Sequence, residues 1–276
     1  MKISTATSVF LNYTLPDALD EIVRCGFDGV DIWCGRPHLF RRDYPPEMLQ
    51  HIRQMLQKNH LTPVSVMPAF FRYPFSLSSP LDAIRSDSIA YMKDCIDNAA
   101  AIGSKVVLVV PNHSLRGQTL DDARQRFIDS LSQLAPYAAR NGITLGLEVV
   151  YPLLSDYMSA TDHALQVIHN LGGNNLGVVL DSGHLNLSDE DVRSALENVG
   201  DLLLQMHIND NDARQQQNAI PGEGVFDFKM LVALLRQRGY QGFLSLELGW
   251  GYTFDPMPAI QESLRRVRSL LDENQK

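Results

Sequence analysis

Eight short apolar runs, rich in β-branched residues, alternate along this chain with eight longer segments of helical period. That alternation narrows the fold more than any other feature. The runs are ISTATS, GVDIWC, PVSVMP, KVVLVV, TLGLEVV, LGVVLD, LLLQMHI and FLSLEL, beginning near residues 3, 29, 63, 105, 144, 176, 202 and 243. Helical period falls at roughly 15–25, 46–58, 80–102, 119–141, 160–171, 188–198, 227–238 and 256–273. Such strands and helices are βα units on a parallel sheet. Leu15-Pro16-Asp17 and Ser188-Asp189-Glu190 read as helix openings, and Gly142 and Gly239 stand where helices stop. Eight units in 276 residues match a single (β/α)8 TIM barrel of class α/β, one domain over 1–276. An open doubly wound sheet would carry a Gly-rich fingerprint after its first strand, and ATSVFLNYT offers none.

Composition bounds the partners. A net charge of −8 and a pI near 5.4 oppose binding to nucleic acid or an anionic membrane surface. The opening MKISTATSVF lacks the apolar region of a signal peptide, and no apolar run of about 18 residues is present to span a membrane. Cys25, Cys34 and Cys95 form neither a metal-spaced pair nor an even disulfide set, so buried thiols in a cytoplasmic protein are expected.

Active sites of such barrels lie at the C-terminal ends of the strands. There, strand five supplies Glu148 in LGLEVV, strand six Asp181 in VVLDSGH, strand seven His207 in LQMHIND and strand eight Glu247 in LSLELGW. Each interrupts an apolar run where an unpaired charge is costly to bury. One such residue is ordinarily a hydrogen-bonded core group; four on consecutive strands converge. Three carboxylates that close repel one another and take up protons unless a cation neutralises them. Two Glu, one Asp and one His suit one divalent metal ion: Mn²⁺, Mg²⁺ or Co²⁺, with Zn²⁺ as a further option. His184, three residues beyond Asp181, then stands beside a bound substrate.

At these residues the chain resembles the xylose isomerase-like TIM barrel superfamily, home of sugar phosphate isomerases and epimerases, and within it the ketose 3-epimerases. The intervals fit: 33 positions from Glu148 to Asp181 and 26 from Asp181 to His207. WCGRPH (33–38) and IPGEG (220–224) look like the fructoselysine (psicoselysine) 3-epimerase group. The resemblance implies that Glu148, Asp181, His207 and Glu247 bind the metal, with Glu148 and Glu247 also serving as the acid/base pair. It implies a substrate contact at His184 and a homo-oligomer. Two positions depart from the sugar 3-epimerase pattern. Leu154 stands where a second Glu often follows, and Ala213, beside Arg214, where an Arg often does. Both argue against a simple free hexulose.

The expected reaction is epimerisation at C3 of a ketose or ketose conjugate through a cis-enediolate. The expected partner is therefore a small sugar or sugar conjugate. An aldose–ketose isomerase, a metal-dependent dehydratase and an apurinic-endonuclease-like nuclease are the alternatives. His113 at the end of strand four, and Trp33, Arg36 and His38 after strand two, are further candidates for substrate contact. Phe70 and Trp250 are candidate apolar walls. Asp210 and Asp212 read as partners of His207 or as solvated loop acids, and Glu223 as a turn former.

Overall fold

The computed structural model describes residues 1–70, 75–173, 175–188 and 190–273. Eight parallel strands close on themselves: β1 (Lys2–Ala6), β2 (Gly29–Trp33), β3 (Thr62–Met67), β4 (Val106–Val109), β5 (Thr144–Glu148), β6 (Leu176–Asp181), β7 (Leu203–Ile208) and β8 (Phe243–Leu246). Each pairs with the next, and β8 returns to β1 through Lys2↔Phe243 to Thr5↔Leu246. The chain thus forms the (β/α)8 barrel that its alternation predicts.

The outer ring shows why these segments are helical. In α1 (Leu15–Cys25), the Thr14 hydroxyl accepts the Asp17 N–H, Pro16 occupies the first turn, and Gly26 at φ 83° ends the helix. Leu15, Ala18, Leu19 and Ile22 form its buried stripe against the barrel. Around it run α2 (Pro46–Lys58), α3 (Asp82–Ile102), α4 (Leu120–Arg140) and α5 (Thr161–Asn170). The short α6 (Ser182–Asn186) follows, then α7 (Val192–Val199), α8 (Phe228–Gln237) and α9 (Met257–Glu273).

Two elements depart from the sequence reading. The five residues of α6 are too few to show a period; the helix forms because the Asp181 carboxylate accepts the His184 N–H at 2.8 Å. Helix α7 starts four residues later than expected. Asp191 caps it by accepting the Arg193 and Ser194 N–H groups, while Ser188 Oγ donates to the His184 carbonyl and Glu190 accepts from Thr161. Asp189, part of the expected opening, lies outside the described residues. Among the described residues no helix is long and apolar enough to cross a membrane.

Candidate metal centre and substrate cavity

Strand register brings the four ionisable groups together. Glu148 and Asp181 are the last residues of β5 and β6, and His207 pairs with Asp181 across β6 and β7. Glu247 follows directly on β8, its N–H donating to the Ile208 carbonyl. One donor atom from each of Glu148, Asp181, His207 and Glu247 lies within 4.8 Å of the others. Nδ1 of His207 lies 2.8 Å from Glu247 Oε2 and 3.1 Å from Glu148 Oε1.

Electrostatics set this cluster apart from an ordinary core. Burial, with the nearby Glu247 and Glu148 carboxylates, lifts Asp181 to about 6, against the opposing pull of His184 and His207. For His207, burial acts downward, but its hydrogen bonds to Glu148 and Glu247 outweigh it and hold the imidazolium well above its usual range. Burial acts upward on Glu247, and the bond from His207 overcomes it, leaving this carboxyl below its ordinary value. His207 bonds two of the three carboxylates and leaves Asp181 to other donors, so acidic oxygen remains in the set to receive further positive charge.

Asp181 is held from behind. Asn209 Nδ2 donates to its Oδ2 at 2.6 Å, and Asn209 exchanges hydrogen bonds with Ser182 at 2.7 and 2.9 Å. A Cβ at Gly183 would lie 2.0 Å from Asn209 Oδ1, so any larger residue there would push aside the amide that holds Asp181. Such outer contacts orient a ligand's lone pairs.

A cavity of about 250 Å³ opens above the cluster. Glu148, Glu247 and His184 line its polar side; Trp33, Met67, Pro68, Val110, Leu154 and Trp250 line its apolar side. The Trp33 and Trp250 rings meet edge to face at 6.1 Å. His184 stacks on Tyr151 at 5.5 Å. Residues Gln216 to Asn218 close the remaining wall, docked on the end of β8 where Gly249 N–H donates to the Asn218 carbonyl at 2.9 Å.

Of the expected substrate contacts, His184 and Trp33 therefore line the cavity, and Arg36, His38 and His113 do not. Arg36 turns outward, forming an ion pair with Asp43 at 2.6 Å and lying 4.7 Å over the Phe40 ring. His38 has no exposed surface, and burial pushes it down to about 4 against the pull of the Phe10 and Tyr13 carbonyls. His113 is half exposed, with Nδ1 3.3 Å from Asp156. In each case the residue follows a strand end in a loop, where sequence position does not fix side-chain direction. Phe70 packs in the core against Phe75 and Tyr91 instead of on the cavity.

Neither Asp210 nor Asp212 partners His207. The fully buried Asp210 accepts the N–H groups of Asn211, Gly222, Gly224 and Phe226 at 2.9–3.2 Å. Asp212 accepts from Arg214 and Gln215 within its own turn. The acid that shapes the IPGEG segment is therefore Asp210, while Glu223 lies 3.6 Å from Arg266 on α9. Asn209 and the Gln216–Asn218 wall went unread in the sequence. Asn209 alone left a signal, two positions beyond His207 on an alternating strand face.

Comparison with known proteins agrees with this architecture. The chain is 26% identical over 276 residues to a fructoselysine 3-epimerase of Shigella flexneri, covering all of both chains. It is 29% identical over 232 residues to L-ribulose-5-phosphate 3-epimerase UlaE of Salmonella paratyphi C, covering 83% of this chain and 79% of that protein. The barrel superposes on the crystal structure of the IOLI protein, which carries a zinc atom, with a TM-score of 0.83 and 20% identity over 99% of both chains. Residues 19–270 match the model of the Xylose isomerase-like TIM barrel family, and the chain belongs to that family.

Proposed function

We propose that the chain is a divalent-metal-dependent epimerase that inverts C3 of a ketose or ketose conjugate, with Glu148 and Glu247 as its acid/base pair. A division of labour within the cluster carries this reading. Glu148 and Glu247 line the cavity and can reach a bound sugar, whereas Asp181 and His207 lie beneath it, each 1% exposed. The 3-epimerase names of the relatives support the same reaction class.

Three carboxylates and one imidazole fit Mn²⁺, Mg²⁺ or Co²⁺, and the same atoms accept Zn²⁺. Held by Glu148, Asp181, His207 and Glu247, such an ion supplies Lewis-acid stabilisation of the charge that develops on the substrate oxygens. One glutamate, ionised, takes the C3 proton. The electron pair of that C–H bond enters a C2–C3 double bond as charge moves to the C2 oxygen, giving the cis-enediolate. The other glutamate, protonated, returns a proton to C3 from the opposite face. The pair ends the turnover with the proton exchanged between its members, and solvent exchange restores it. His184, steadied on Tyr151, orients a substrate oxygen near C1 or C2, and Trp33 and Trp250 cover the apolar edge of the sugar.

Proton NMR of a ketose and ketose-conjugate panel in D2O, with Mg²⁺-loaded protein, tests the reading. Deuterium at C3 together with a new epimer is the expected result. Exchange at C1 with aldose formation would make the protein an aldose–ketose isomerase. No exchange with either Mg²⁺ or Co²⁺ would overturn the carbon-acid chemistry altogether.

A further inference from the structure

One layer below the carboxylate cluster, the barrel interior holds a second polar group where branched apolar side chains are usual. Asp31 on β2 has no exposed surface and accepts four hydrogen bonds. Its Oδ2 receives the hydroxyls of Ser4 on β1, at 2.9 Å, and Ser245 on β8. Its Oδ1 receives the Ser65 hydroxyl from β3 and Gln205 Nε2 from β7, each at 2.6 Å. Gln205 Nε2 also donates to Ser245 Oγ at 2.7 Å. One carboxylate therefore ties five strands together across the barrel.

Two of its donors have a particular place in the sequence. Gln205 stands two residues before His207, and Ser245 two residues before Glu247. Alternate residues of a strand share a face, so each donor lies directly under a member of the cluster above. The layer is not one that maximises stability. Gln205 Oε1 is buried with no partner among the described residues, and an unpaired buried acceptor is costly. What the layer supplies is direction, since hydrogen bonds to a common carboxylate fix strand register more narrowly than apolar packing does.

We propose that Asp31 is a positioning residue: through Gln205 and Ser245 it holds β7 and β8 so that His207 Nδ1 and Glu247 meet. One consequence, tighter divalent-metal binding, rests on the proposed metal centre; the His207–Glu247 geometry does not.

Two measurements on the full chain test it. In metal-free protein at fixed pH, the ¹⁵N resonance of His207 Nδ1 reports its hydrogen bond to Glu247. Calorimetric titration with Mn²⁺ alone reports the ligand set. Gln205→Leu is expected to move the His207 resonance and to weaken Mn²⁺ binding by about tenfold or more, as loss of an orienting contact does. Asp31→Leu, which removes the shared acceptor, is expected to shift both in the same direction, whereas Asp31→Asn, which keeps an oxygen toward Gln205 and Ser65, is expected to preserve both. A purely structural layer would lower the thermal midpoint of Gln205→Leu and leave both readouts unchanged in the folded protein. That outcome overturns the proposal. Should Gln205→Leu not fold, Ser245→Ala removes a single hydroxyl and is expected to shift both readouts in the same direction. If the wild type binds no Mn²⁺, the metal centre fails, and the His207 resonance alone decides: movement in the variants supports positioning, and constancy overturns it.

Discussion

His207 Nδ1 lies 2.8 Å from Oε2 of Glu247, so a carboxylate that lines the cavity is bonded directly to a buried imidazole. Glu148 meets the same nitrogen from the other side at 3.1 Å. Replacing either glutamate by Gln keeps its volume and removes its capacity to carry the C3 proton. Glu148→Gln and Glu247→Gln are each expected to lower kcat by about 10²–10⁴-fold, the range for a lost general acid or base. The far-UV circular dichroism of both variants should match wild type. Full turnover in either would sink the two-base assignment.

Metal loading is expected to release protons. His207 is held well above its usual range by the two glutamates, so at pH 7 the metal-free ring is an imidazolium, and it must become neutral to ligate. Calorimetry with Mn²⁺ in two buffers of different ionisation enthalpy should therefore show about one proton released at pH 7. Below about pH 6 the Asp181 carboxyl is also protonated, and affinity should fall more steeply with acid. Chelation should abolish turnover. Readding Mn²⁺ at about 100 times its Kd should restore it and stabilise the fold by about 2.7 kcal/mol.

The four cluster residues were legible because each breaks an apolar run at a strand end, and a barrel brings consecutive strand ends together. The order and extent of the strands were legible for the same reason, since β-branched runs and helical stripes repeat regularly. Side chains beyond the strand ends were not. Arg36, His38 and Trp33 lie within six residues of one another, yet one points to solvent, one to the core and one to the cavity. Loop dihedrals decide among these directions, and no periodicity encodes them. The roles of Asp210 and Asn209 were hidden similarly: both depend on which distant backbone or carboxylate lies opposite.

His38 gives the fold an acid-sensitive point away from the proposed chemistry. Its pKa falls from 6.5 to about 4 because burial disfavours the imidazolium. The unfolded chain therefore binds the extra proton first as pH falls. Stability is lost as pH drops from about 6.5 to 4 and is fully present above that window. The depression corresponds to about 3 kcal/mol across the window, at about 1.4 kcal/mol per pH unit. Urea unfolding of wild type and His38→Gln at pH 7 and pH 4 checks this, because the other titrating groups cancel in the difference. Wild type should lose about 3 kcal/mol relative to the variant. Equal loss in both would show that His38 does not set the slope.

Asp210 and Gly224 form one device. The carboxylate takes N–H groups from Gly222, Gly224 and Phe226, and a Cβ at 224 would lie 2.2 Å from the Asn211 carbonyl and 2.3 Å from Asp210 Oδ1. Asp210→Ala takes the acceptor from these half-buried and exposed N–H groups and should cost about 1–3 kcal/mol. Gly224→Ala should cost about 1–3 kcal/mol through overpacking. Denaturant midpoints at constant slope measure both, and a stability change below about 0.5 kcal/mol for Asp210→Ala would contradict the clamp.

Gly249 joins the cavity wall to its floor. Its N–H donates to the Asn218 carbonyl at 2.9 Å, and Asn218 Nδ2 reaches the Glu247 carbonyl at 3.3 Å, so the Gln216–Asn218 wall rests on the strand end that presents Glu247. A Cβ at 249 would come within 2.5 Å of the Gln217 carbonyl, a backbone atom that cannot swing aside as a side-chain tip could. Gly249→Ala must therefore lift the wall. Three of the four cluster residues, Glu148, Asp181 and His207, stand on other strands, and Glu247 keeps its bond to His207, so Mn²⁺ affinity should change little. The expected signature is a KM raised about tenfold, equivalent to about 1.4 kcal/mol of lost substrate contact, with kcat within about threefold of wild type. A fall confined to kcat would mean that the wall positions Glu247 rather than the sugar.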